Sequence, residues 1–173
     1  MNFSIVVCTN NNNGIGLYDR IKKEYTIPWK NKEDMSFFKM ITTKKDNKDD
    51  INAVIMGRNT YTSISEKFLV NRKNIVLTKS SSKIQDDNVI TCNSLNNALL
   101  YCKNNNIKNI FVIGGSKLYR EALESEYLDS IYWNIENNNN RCNIHFPLSF
   151  QDATLYYNID SNYEYASMNN DRL

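Results

Sequence analysis

The chain has 173 residues, of which 41% are hydrophobic and 23% charged, and its 21 Lys and Arg against 19 Asp and Glu give a formal net charge of +2. A chain of this length buries roughly 70% of its unfolded surface and forms a core without disulfides or metal, so we expect one globular domain over residues 1–173. The small net charge supplies no broad basic field, and neither a nucleic acid nor a membrane is expected as a partner.

The N-terminal segment and the cysteines predict a cytoplasmic protein. Residues 1–9 have no basic lead-in and only a short apolar run, which is not typical of a signal peptide or an anchor. The four cysteines are scattered without the spacing of a disulfide framework. Cys142 and His145 lack a second pair of ligands, so no metal site is expected. The asparagine runs at 10–13, 104–106 and 137–140 are interpreted as loop filler and not as binding elements.

Apolar, β-branched runs alternate with helical patterns along the chain. Strands are predicted over residues 3–9, 52–56, 74–78, 88–92, 109–113 and 130–135. Helices are predicted over residues 33–43, 58–64, 94–104 and 116–124. This alternation predicts a doubly wound α/β fold, in which a mostly parallel sheet carries helices on both faces. Residues 155–160 and 163–167 are expected to close the sheet edge as a C-terminal antiparallel hairpin.

Three loops that follow predicted strands are candidates for ligand contacts, because ligands bind beyond the carboxyl ends of strands in such sheets. Gly114 and Gly115 precede a helix whose capping residue we predict to be Ser116, and glycines at a helix N-terminus let a phosphate approach the backbone. A tight strand-to-helix turn explains the same glycines equally well.

The other two loops bring cations to the same edge. Gly57 and Arg58 begin a helix, and Thr78 and Lys79 end a strand. No Asp or Glu stands there to bind an adenosine 2′-hydroxyl, so these residues suit a 2′-phosphate. Scattered surface cations remain the alternative explanation for each residue taken separately.

An acid lies on the apolar stripe of the first predicted helix. Asp34 shares the spacing of Phe37, Phe38 and Ile41, and an unpaired buried carboxylate costs several kcal/mol, so it needs a partner. The alternative is that Asn31 caps the helix and Asp34 is an ordinary first-turn acid. The pattern alone does not separate these two interpretations.

Eight segments, in order and at suitable spacing, resemble the dihydrofolate reductase family. They are Ile5-Val-Val-Cys8, Gly14-Ile-Gly16, Ile27-Pro-Trp29, Asp34-Met-Ser-Phe-Phe38, Val54-Ile-Met-Gly-Arg-Asn-Thr60, Arg72-Lys-Asn-Ile-Val-Leu77, Ile113-Gly-Gly115 and His145-Phe-Pro147. The resemblance implies reduction of 7,8-dihydrofolate to tetrahydrofolate for one-carbon and thymidylate metabolism. A hydride passes from the cofactor NADPH to C6 of the pterin, and N5 takes a proton.

The resemblance also implies roles for individual residues on the substrate side. Asp34 would be the catalytic acid of the pterin pocket, and Arg72 would hold the glutamate tail of the substrate. The carbonyls of Val6 and Ile113 would face the 4-position of the pterin. The substrate-binding set implied in this way is Val6, Val7, Asp34, Met35, Phe38, Ile64, Leu69, Arg72, Ile113 and Tyr119.

On the cofactor side, the family usually has a cis peptide bond between its paired glycines, here Gly114 and Gly115. Ile15, Gly16 and Ile27 would belong to a mobile lid over the nicotinamide. The cofactor-binding set implied is Cys8, Ile15, Gly16, Ile27, Gly57, Arg58, Asn59, Thr60, Leu77, Thr78, Lys79, Gly114, Gly115, Ser116, Lys117, Leu118 and Tyr119.

Two departures from the family pattern keep alternatives open. The family commonly pairs its acid with a Thr, where a gapless match puts Asn134 and a one-residue slip puts Trp133. The stretch from Gly16 to Ile27 is longer than in short members, so the path of the lid is open. The alternatives are a non-catalytic pterin- or nucleotide-binding protein and a reductase of the riboflavin pathway, whose substrate has no glutamate tail for Arg72. Antifolates such as methotrexate are expected ligands, and fusion to thymidylate synthase, as in some members, is compatible with the chain.

Overall fold

The computed structural model describes residues 1–64, 69–80, 84 and 88–160. Within this part of the chain a seven-stranded sheet forms the centre of the molecule. Its strands are β1 (Phe3–Asn10), β4 (Asn52–Gly57), β5 (Lys73–Leu77), β6 (Val89–Cys92), β7 (Asn109–Val112), β8 (Leu128–Glu136) and β10 (Ile159–Asp160). They lie in the order β10-β8-β1-β7-β4-β5-β6, and all neighbouring pairs are parallel.

A second, antiparallel sheet lies beside the first. Its strands β2 (Gly14–Asp19), β3 (Glu24–Thr26) and β9 (Ile144–His145) have the order β3-β2-β9. These strands were not predicted, because they are short and the buried positions of β2 are glycines, which give no apolar alternation in the sequence.

Five helices cover the main sheet in the described part of the chain. They are α1 (Lys32–Thr43), α2 (Arg58–Ser63), α3 (Leu95–Asn104), α4 (Ser116–Leu123) and α5 (Phe150–Tyr156). Side chains of α3, α4 and α5 join one buried cluster on the sheet, while those of α1 and α2 pack against a second cluster. The central strands are therefore buried on both faces, which explains their continuous apolar sequences, and the predicted doubly wound fold is confirmed.

The C-terminal hairpin prediction is wrong in its first half. Residues 150–156 form α5, and the strand that follows, Ile159–Asp160, pairs in parallel with β8. The second predicted strand, residues 163–167, lies outside the described residues. Ser149 caps α5 by accepting a hydrogen bond from the Asp152 backbone N–H at 3.1 Å, so the local sequence stabilises a helix where a strand was expected.

A buried asparagine attaches α1 to the sheet. Asn52, fully buried in β4, donates from its amide nitrogen to the carbonyls of Thr42 at 3.0 Å and Lys44 at 2.7 Å. These carbonyls belong to the last turn of α1, where backbone acceptors lack partners within the helix. The contact fixes the C-terminal end of the helix that carries Asp34 at its other end.

Candidate functional site

Two adjoining cavities open at the carboxyl ends of the central strands. The first, which we call the acid cavity, has a volume of about 280 Å³ and is lined by Asp34 and by apolar side chains that include Val6, Phe38 and Ile113. The second, which we call the glycine cavity, has a volume of about 630 Å³ and is lined by the loops that follow β4, β5 and β7. Residues lining both are Ile15, Thr60, Ser63 and Gly115.

Asp34 is both a first-turn acid of α1 and an acid of the cavity, so the two interpretations of its sequence position both apply. The side chain of Asn31 caps α1 by accepting from the backbone N–H groups of Glu33 at 2.8 Å and Asp34 at 3.2 Å. The carboxylate of Asp34 nevertheless lines the acid cavity and accepts a hydrogen bond from Nδ2 of Asn134 at 2.9 Å. Asp34 is therefore both a first-turn acid and a carboxylate with its own polar partner.

Burial raises the pKa of Asp34 above its ordinary value of 3.8. Hydrogen bonds from Asn134 and from the thiol of Cys8 lower this pKa, and the nearby charge of Glu136 raises it. Burial, with the negative charge of Asp34 next, also strongly raises the pKa of Cys8. Cys8 is therefore a neutral thiol beside the acid, without the thiolate character that a nucleophile needs.

The partner of the acid is Asn134 and not Trp133. Asn134 is paired with Cys8 in the register of β1 and β8, so its side chain faces the acid cavity. Trp133 points to the opposite face, where it is fully buried and donates its indole N–H to Oγ1 of Thr9 at 3.0 Å. An amide thus occupies the place where the family commonly has a threonine hydroxyl.

Tyr119 connects the acid cavity to the first strand. Its hydroxyl donates to the carbonyl of Val6 at 2.9 Å, and its ring packs in the buried cluster between α4 and the sheet. Burial is the main cause of the raised pKa of the phenol, and the negative charge of Asp34 adds to it, so the phenol stays protonated. The hydrogen bond uses one lone pair of the Val6 carbonyl and leaves the other free for a ligand.

Arg72 lies behind the wall of the acid cavity. Its Nη1 donates to Oγ1 of Thr42 at 2.6 Å, and its Cζ is 5.6 Å from the centroid of the Phe38 ring, which lines the cavity. Its buried Nε has no hydrogen-bond partner among the described residues. Burial lowers the pKa of this guanidinium to about 10, and it remains a cation at neutral pH. Leu69 is also covered, at 4% exposure, in the apolar cluster beneath the cavity.

The paired glycines join two loops of the glycine cavity. The peptide bond between Gly114 and Gly115 is cis, as the resemblance implied. The N–H of Gly57 donates to the carbonyl of Gly114 at 2.8 Å, which ties the end of β4 to the end of β7. Gly114 has a φ of +122°, and a Cβ there would meet Thr60 Oγ1 and the Tyr119 hydroxyl at 3.3 Å. Only glycine fits this position without displacing a neighbour.

Two helices that begin at the glycine cavity have no side-chain cap. The N-caps of α2 and α4 are Gly57 and Gly115, neither of which accepts from the helix, whereas α1, α3 and α5 are capped by side chains. The prediction that Ser116 caps α4 is wrong, because its hydroxyl donates to the carbonyl of His145 at 2.8 Å. The uncapped starts of both helices lie in the same cavity wall as the cations Arg58 and Lys79 and the acid Glu121.

The stretch that the resemblance assigns to a lid is a β-hairpin. Strands β2 and β3 pair Leu17 with Thr26 and Tyr18 with Tyr25, whose rings are 4.6 Å apart between centroids. Asp19 accepts from two backbone N–H groups of the turn, and these hydrogen bonds lower its pKa. The stretch is therefore two antiparallel strands joined by a turn, and Ile15, Gly16 and Ile27 line the cavities.

The interpretation of the asparagine runs as filler is wrong for two of them. Residues 10–13 and 137–140 form an amide ladder, in which Nδ2 of Asn10 donates to the Asn140 carbonyl at 2.8 Å and Nδ2 of Asn11 donates to Asn137 Oδ1 at 3.0 Å. Nδ2 of Asn140 donates in turn to the carbonyl of Pro28 at 2.6 Å. The ladder joins the loops after β1 and β8 and holds the segment that enters α1.

All the residues that the resemblance assigned to the cofactor line one of the two cavities. Of the substrate set, Leu69 and Arg72 lie behind the wall and the others line the acid cavity. Residues that the sequence analysis missed in the acid cavity are Trp29, Lys30, Asn31, Phe37 and Ser63. Those it missed in the glycine cavity are Tyr25, Thr26, Ser63, Ser80, Asn93, Ser94, Glu121 and Ile144. Trp29 belongs to the segment Ile27-Pro-Trp29, which resembles the family, so it could have been predicted from the sequence. The other missed residues have no local signal, because the tertiary fold brings them to the cavities.

The fold and the joined cavities define an α/β protein with an acid-containing pocket beside a glycine-lined cleft at the carboxyl edge of its sheet. The family model described as "Dihydrofolate reductase" matches residues 2–171, and the chain belongs to this family.

Several relatives share most of their length with the chain. Dihydrofolate reductase of Aedes albopictus is 31% identical over 165 residues, which cover 91% of this chain and 86% of that protein. The Pneumocystis carinii dihydrofolate reductase is 34% identical over 161 residues, covering 86% and 75% respectively. The structure of Schistosoma mansoni dihydrofolate reductase matches with a TM-score of 0.72 and 35% identity over 88% of this chain and 82% of that one.

A bifunctional dihydrofolate reductase-thymidylate synthase of Daucus carota is 35% identical over 156 residues, which cover 84% of this chain and 28% of that protein. Among the described residues, no helix has the length and apolar composition needed to cross a membrane.

Proposed function

We propose that this chain reduces 7,8-dihydrofolate to 5,6,7,8-tetrahydrofolate with NADPH as the hydride donor. The observation that carries the proposal is Asp34, a half-buried carboxylate in an apolar cavity that adjoins the glycine cavity. Membership of the dihydrofolate reductase family supports the reaction. The residue roles that follow rest on the geometry of the two cavities.

Asp34 positions the pterin. A carboxylate accepts two hydrogen bonds side by side, and the 2-amino group and N3 of the pterin present two donors in that arrangement. Val6, Met35, Phe38, Ile64 and Ile113 form apolar walls around this contact and would enclose the flat ring. Fixing the ring in one plane converts an encounter with the hydride donor into a reaction between neighbours, which is the catalytic contribution of this wall.

Asp34 also governs the protonation of the site. A carboxyl with a raised pKa holds a proton closer to neutral pH than an exposed aspartate does. In a substrate complex it would favour the protonated form of the bound pterin, and N5 would receive its proton through water. The apolar walls keep other water out, which strengthens the electrostatic contact.

Arg72 would bind the glutamate tail of the substrate. Its Nε is buried without a partner, and its guanidinium stacks on Phe38 at the boundary of the acid cavity. A buried cation with an unused donor is satisfied by a carboxylate. The unpaired Nε of Arg72 also argues against a substrate of the riboflavin-pathway type, which has no glutamate carboxylate to bind it.

The glycine cavity fits NADPH. The uncapped N-termini of α2 and α4 and the backbone of Gly114 and Gly115 would receive the pyrophosphate. Arg58, Thr78 and Lys79 would bind the 2′-phosphate of the adenosine ribose. Bound there, NADPH supplies the hydride, while Ile15 and Ile27, which line the acid cavity together with Asp34, would shield the reacting atoms from water.

The non-catalytic alternative rested on the altered threonine position. Asn134 donates to Asp34 at 2.9 Å, so the acid keeps a hydrogen-bond partner despite the exchange. The stretch between Gly16 and Ile27 contains the paired strands β2 and β3, which supports an ordered path for it. Neither departure removes a group that the reduction requires.

The test is the loss of absorbance at ~340 nm when the purified protein is mixed with NADPH and dihydrofolate, repeated with NADH. We expect turnover with NADPH, slower turnover with NADH, and inhibition by methotrexate.

Asp34→Asn keeps the shape of the side chain and should strongly impair turnover at neutral pH. A folded wild-type protein that binds NADPH and methotrexate without turnover would establish the non-catalytic alternative instead.

The bifunctional relatives suggest a functional association with thymidylate synthase. A chain of this family that is fused to thymidylate synthase, or works beside it, would regenerate the folate that the synthase oxidises. Copurification with a thymidylate synthase from the native source tests this association.

A further inference from the structure

A second acid lies behind the catalytic carboxylate. Asn134 and Glu136 are two residues apart on β8, so their side chains emerge on the same face of the sheet. Asn134 reaches Asp34 directly, and Glu136 reaches the turn that precedes it. Neither the sequence analysis nor the resemblance assigned a role to Glu136.

Asn31 transmits the contact of Glu136 to the start of α1. Its Nδ2 donates to Oε2 of Glu136, while its Oδ1 accepts from the backbone N–H groups of Glu33 and Asp34. The two ends of one planar amide are thus used at once. Because the amide is rigid, the position of the Glu136 carboxylate sets the orientation in which Asn31 caps the helix.

The charge of Glu136 also acts on Asp34 directly. It raises the pKa of Asp34, and it raises the pKa of Cys8 as well. The groups facing Asp34 from the surrounding elements are the thiol of Cys8 on β1, the phenol of Tyr119 on α4 and the amide of Asn134 on β8. Lys30, exposed to solvent, lines the same cavity on the approach to α1.

We propose that Glu136 is a positioning residue of the reduction, which orients Asp34 through Asn31 and places a second negative charge behind it. This proposal rests on the proposed function, in which Asp34 binds the pterin. The orienting contact favours the one rotamer of Asp34 that faces both pterin donors. The second charge favours a cationic or protonated ring in the cavity over a neutral one.

Two substitutions separate the orienting contact from the charge. Glu136→Gln keeps an oxygen that accepts from Asn31 but removes the negative charge. Glu136→Leu removes both. Glu33→Gln is the matched control, because Glu33 is an exposed acid in the same turn of α1 and its charge is screened by solvent.

The first measurement follows the titration of Asp34 itself in the unliganded protein by carboxyl ¹³C NMR. We expect Glu136→Gln to shift this titration to lower pH and Glu33→Gln to leave it unchanged. Because the readout needs no turnover, it judges the proposal even where the proposed function fails. An identical titration in wild type and Glu136→Gln would overturn the role of the charge.

The second measurement is the pH profile of kcat/KM for dihydrofolate. In Glu136→Gln the decline toward alkaline pH should begin at lower pH than in wild type, with KM at acid pH unchanged. In Glu136→Leu the KM for dihydrofolate should rise several-fold in addition, with a smaller change in KM for NADPH. Equal losses for both substrates would indicate general loosening of the fold and would overturn the positioning role.

The third measurement is methotrexate affinity as a function of pH. A diaminopteridine takes up a proton beside a carboxylate, so the charge of Glu136 should strengthen its binding at neutral pH. We expect Glu136→Gln to weaken methotrexate binding at neutral pH more than it weakens dihydrofolate binding. Unchanged selectivity between the two ligands would contradict the proposal.

Discussion

Among single residues, Asp34 carries a charge that its surroundings disfavour. Burial and the charge of Glu136 raise its pKa, and the hydrogen bonds from Asn134 and Cys8 offset only part of this effect. The folded state therefore binds a proton at this site more tightly than the unfolded chain, whose aspartate titrates near 3.8. It follows that the unliganded fold loses stability as pH rises from that value through the folded pKa.

Asp34→Asn should remove this penalty. We expect the variant to melt at a higher temperature than wild type at neutral pH, while the difference disappears at pH values below the titration of a free aspartate. The asparagine retains an oxygen that accepts from Asn134, and Oδ1 of Asn134, which is unpaired among the described residues, is an available acceptor for the new amide group. Thermal melts of both unliganded proteins across the acid-to-neutral range test this, and a variant that melts below wild type at neutral pH would contradict it.

Arg58 is one of the residues expected to distinguish NADPH from NADH. Substitution by alanine removes a charge-assisted contact to the 2′-phosphate, worth about 1.5–3 kcal/mol, so NADPH binding should weaken roughly ten- to a hundredfold. NADH lacks that phosphate and should lose little affinity. Fluorescence titrations of both cofactors measure the two effects.

Arg120→Ala serves as the matched control for this prediction. Arg120 is an exposed arginine on α4 outside the residues that line the glycine cavity. Its removal should leave both affinities unchanged. Equal losses of NADPH and NADH in Arg58→Ala would assign Arg58 to a part of the cofactor that the two dinucleotides share.

At the scale of elements, the end of β8 and the loop that follows it hold the entrance to α1 at two points. Glu136 accepts from Asn31, and Asn140 donates to the carbonyl of Pro28. Between these points lies Trp29, which lines the acid cavity beside Ile27. The geometry of that wall therefore depends on a loop contributed by a strand more than 100 residues further along the chain.

Asn140→Ala should loosen this segment without unfolding the protein. It removes an exposed hydrogen bond, which typically contributes about 0.5–1.5 kcal/mol, so the melting temperature should fall by a few degrees at most. Backbone amides near residues 27–31 should exchange faster with deuterium, and the KM for dihydrofolate should rise.

Asn139→Ala is the control within the same loop. The Asn139 side chain is exposed and its contact with Asn12 is long, at 3.5 Å, so little interaction is lost. Unchanged exchange near residues 27–31 in Asn140→Ala would show that the Pro28 contact does not hold the segment.

The elements that the sequence predicted well are those whose burial is continuous. Strands such as β1 and β4, and the amphipathic helix α1, carry patterns that follow directly from packing against a central sheet. Helix α5 was missed because Leu155 and Tyr156, 74% and 77% exposed, give it no apolar stripe. The start of α5 could have been predicted from Ser149 and Asp152, which have the spacing of a helix N-cap.

The residues of the site also fall into those with a local signal in the sequence and those without one. Asp34 and the paired glycines could be singled out from the sequence, although a first-turn acid and a plain turn explained the same patterns equally well. Glu136, Asn140 and the amide ladder could not be recognised, because asparagine and glutamate are ordinary in loops and their meaning comes from pairing across more than 100 residues. Long-range partners of polar groups are set by the tertiary fold and not by local pattern.

For the whole molecule, the cleft is assembled from elements on opposite sides of the sheet. The acid cavity is lined by α1 and β1, while the glycine cavity is lined by the starts of α2 and α4, which belong to different core clusters. A ligand that spans the cleft contacts both clusters, and it binds the folded state alone. Its binding free energy therefore adds to the stability of the whole fold.

NADPH should accordingly raise the melting temperature of the wild-type protein. At a hundredfold excess over its dissociation constant the stabilisation is about 2.7 kcal/mol, which for a chain of this size corresponds to roughly 5–10 °C. At the same concentration NADH should give a smaller shift, because it binds less tightly without the contact between Arg58 and the 2′-phosphate. In Arg58→Ala the difference between the two shifts should narrow, because Thr78 and Lys79 remain to bind the 2′-phosphate, whereas in Arg120→Ala it should stay as in wild type. Differential scanning fluorimetry of the three proteins with each cofactor provides the measurement. An NADPH shift that persists in full in Arg58→Ala would mean that Arg58 does not contact the 2′-phosphate, and the cofactor preference would then have to come from another part of the cavity.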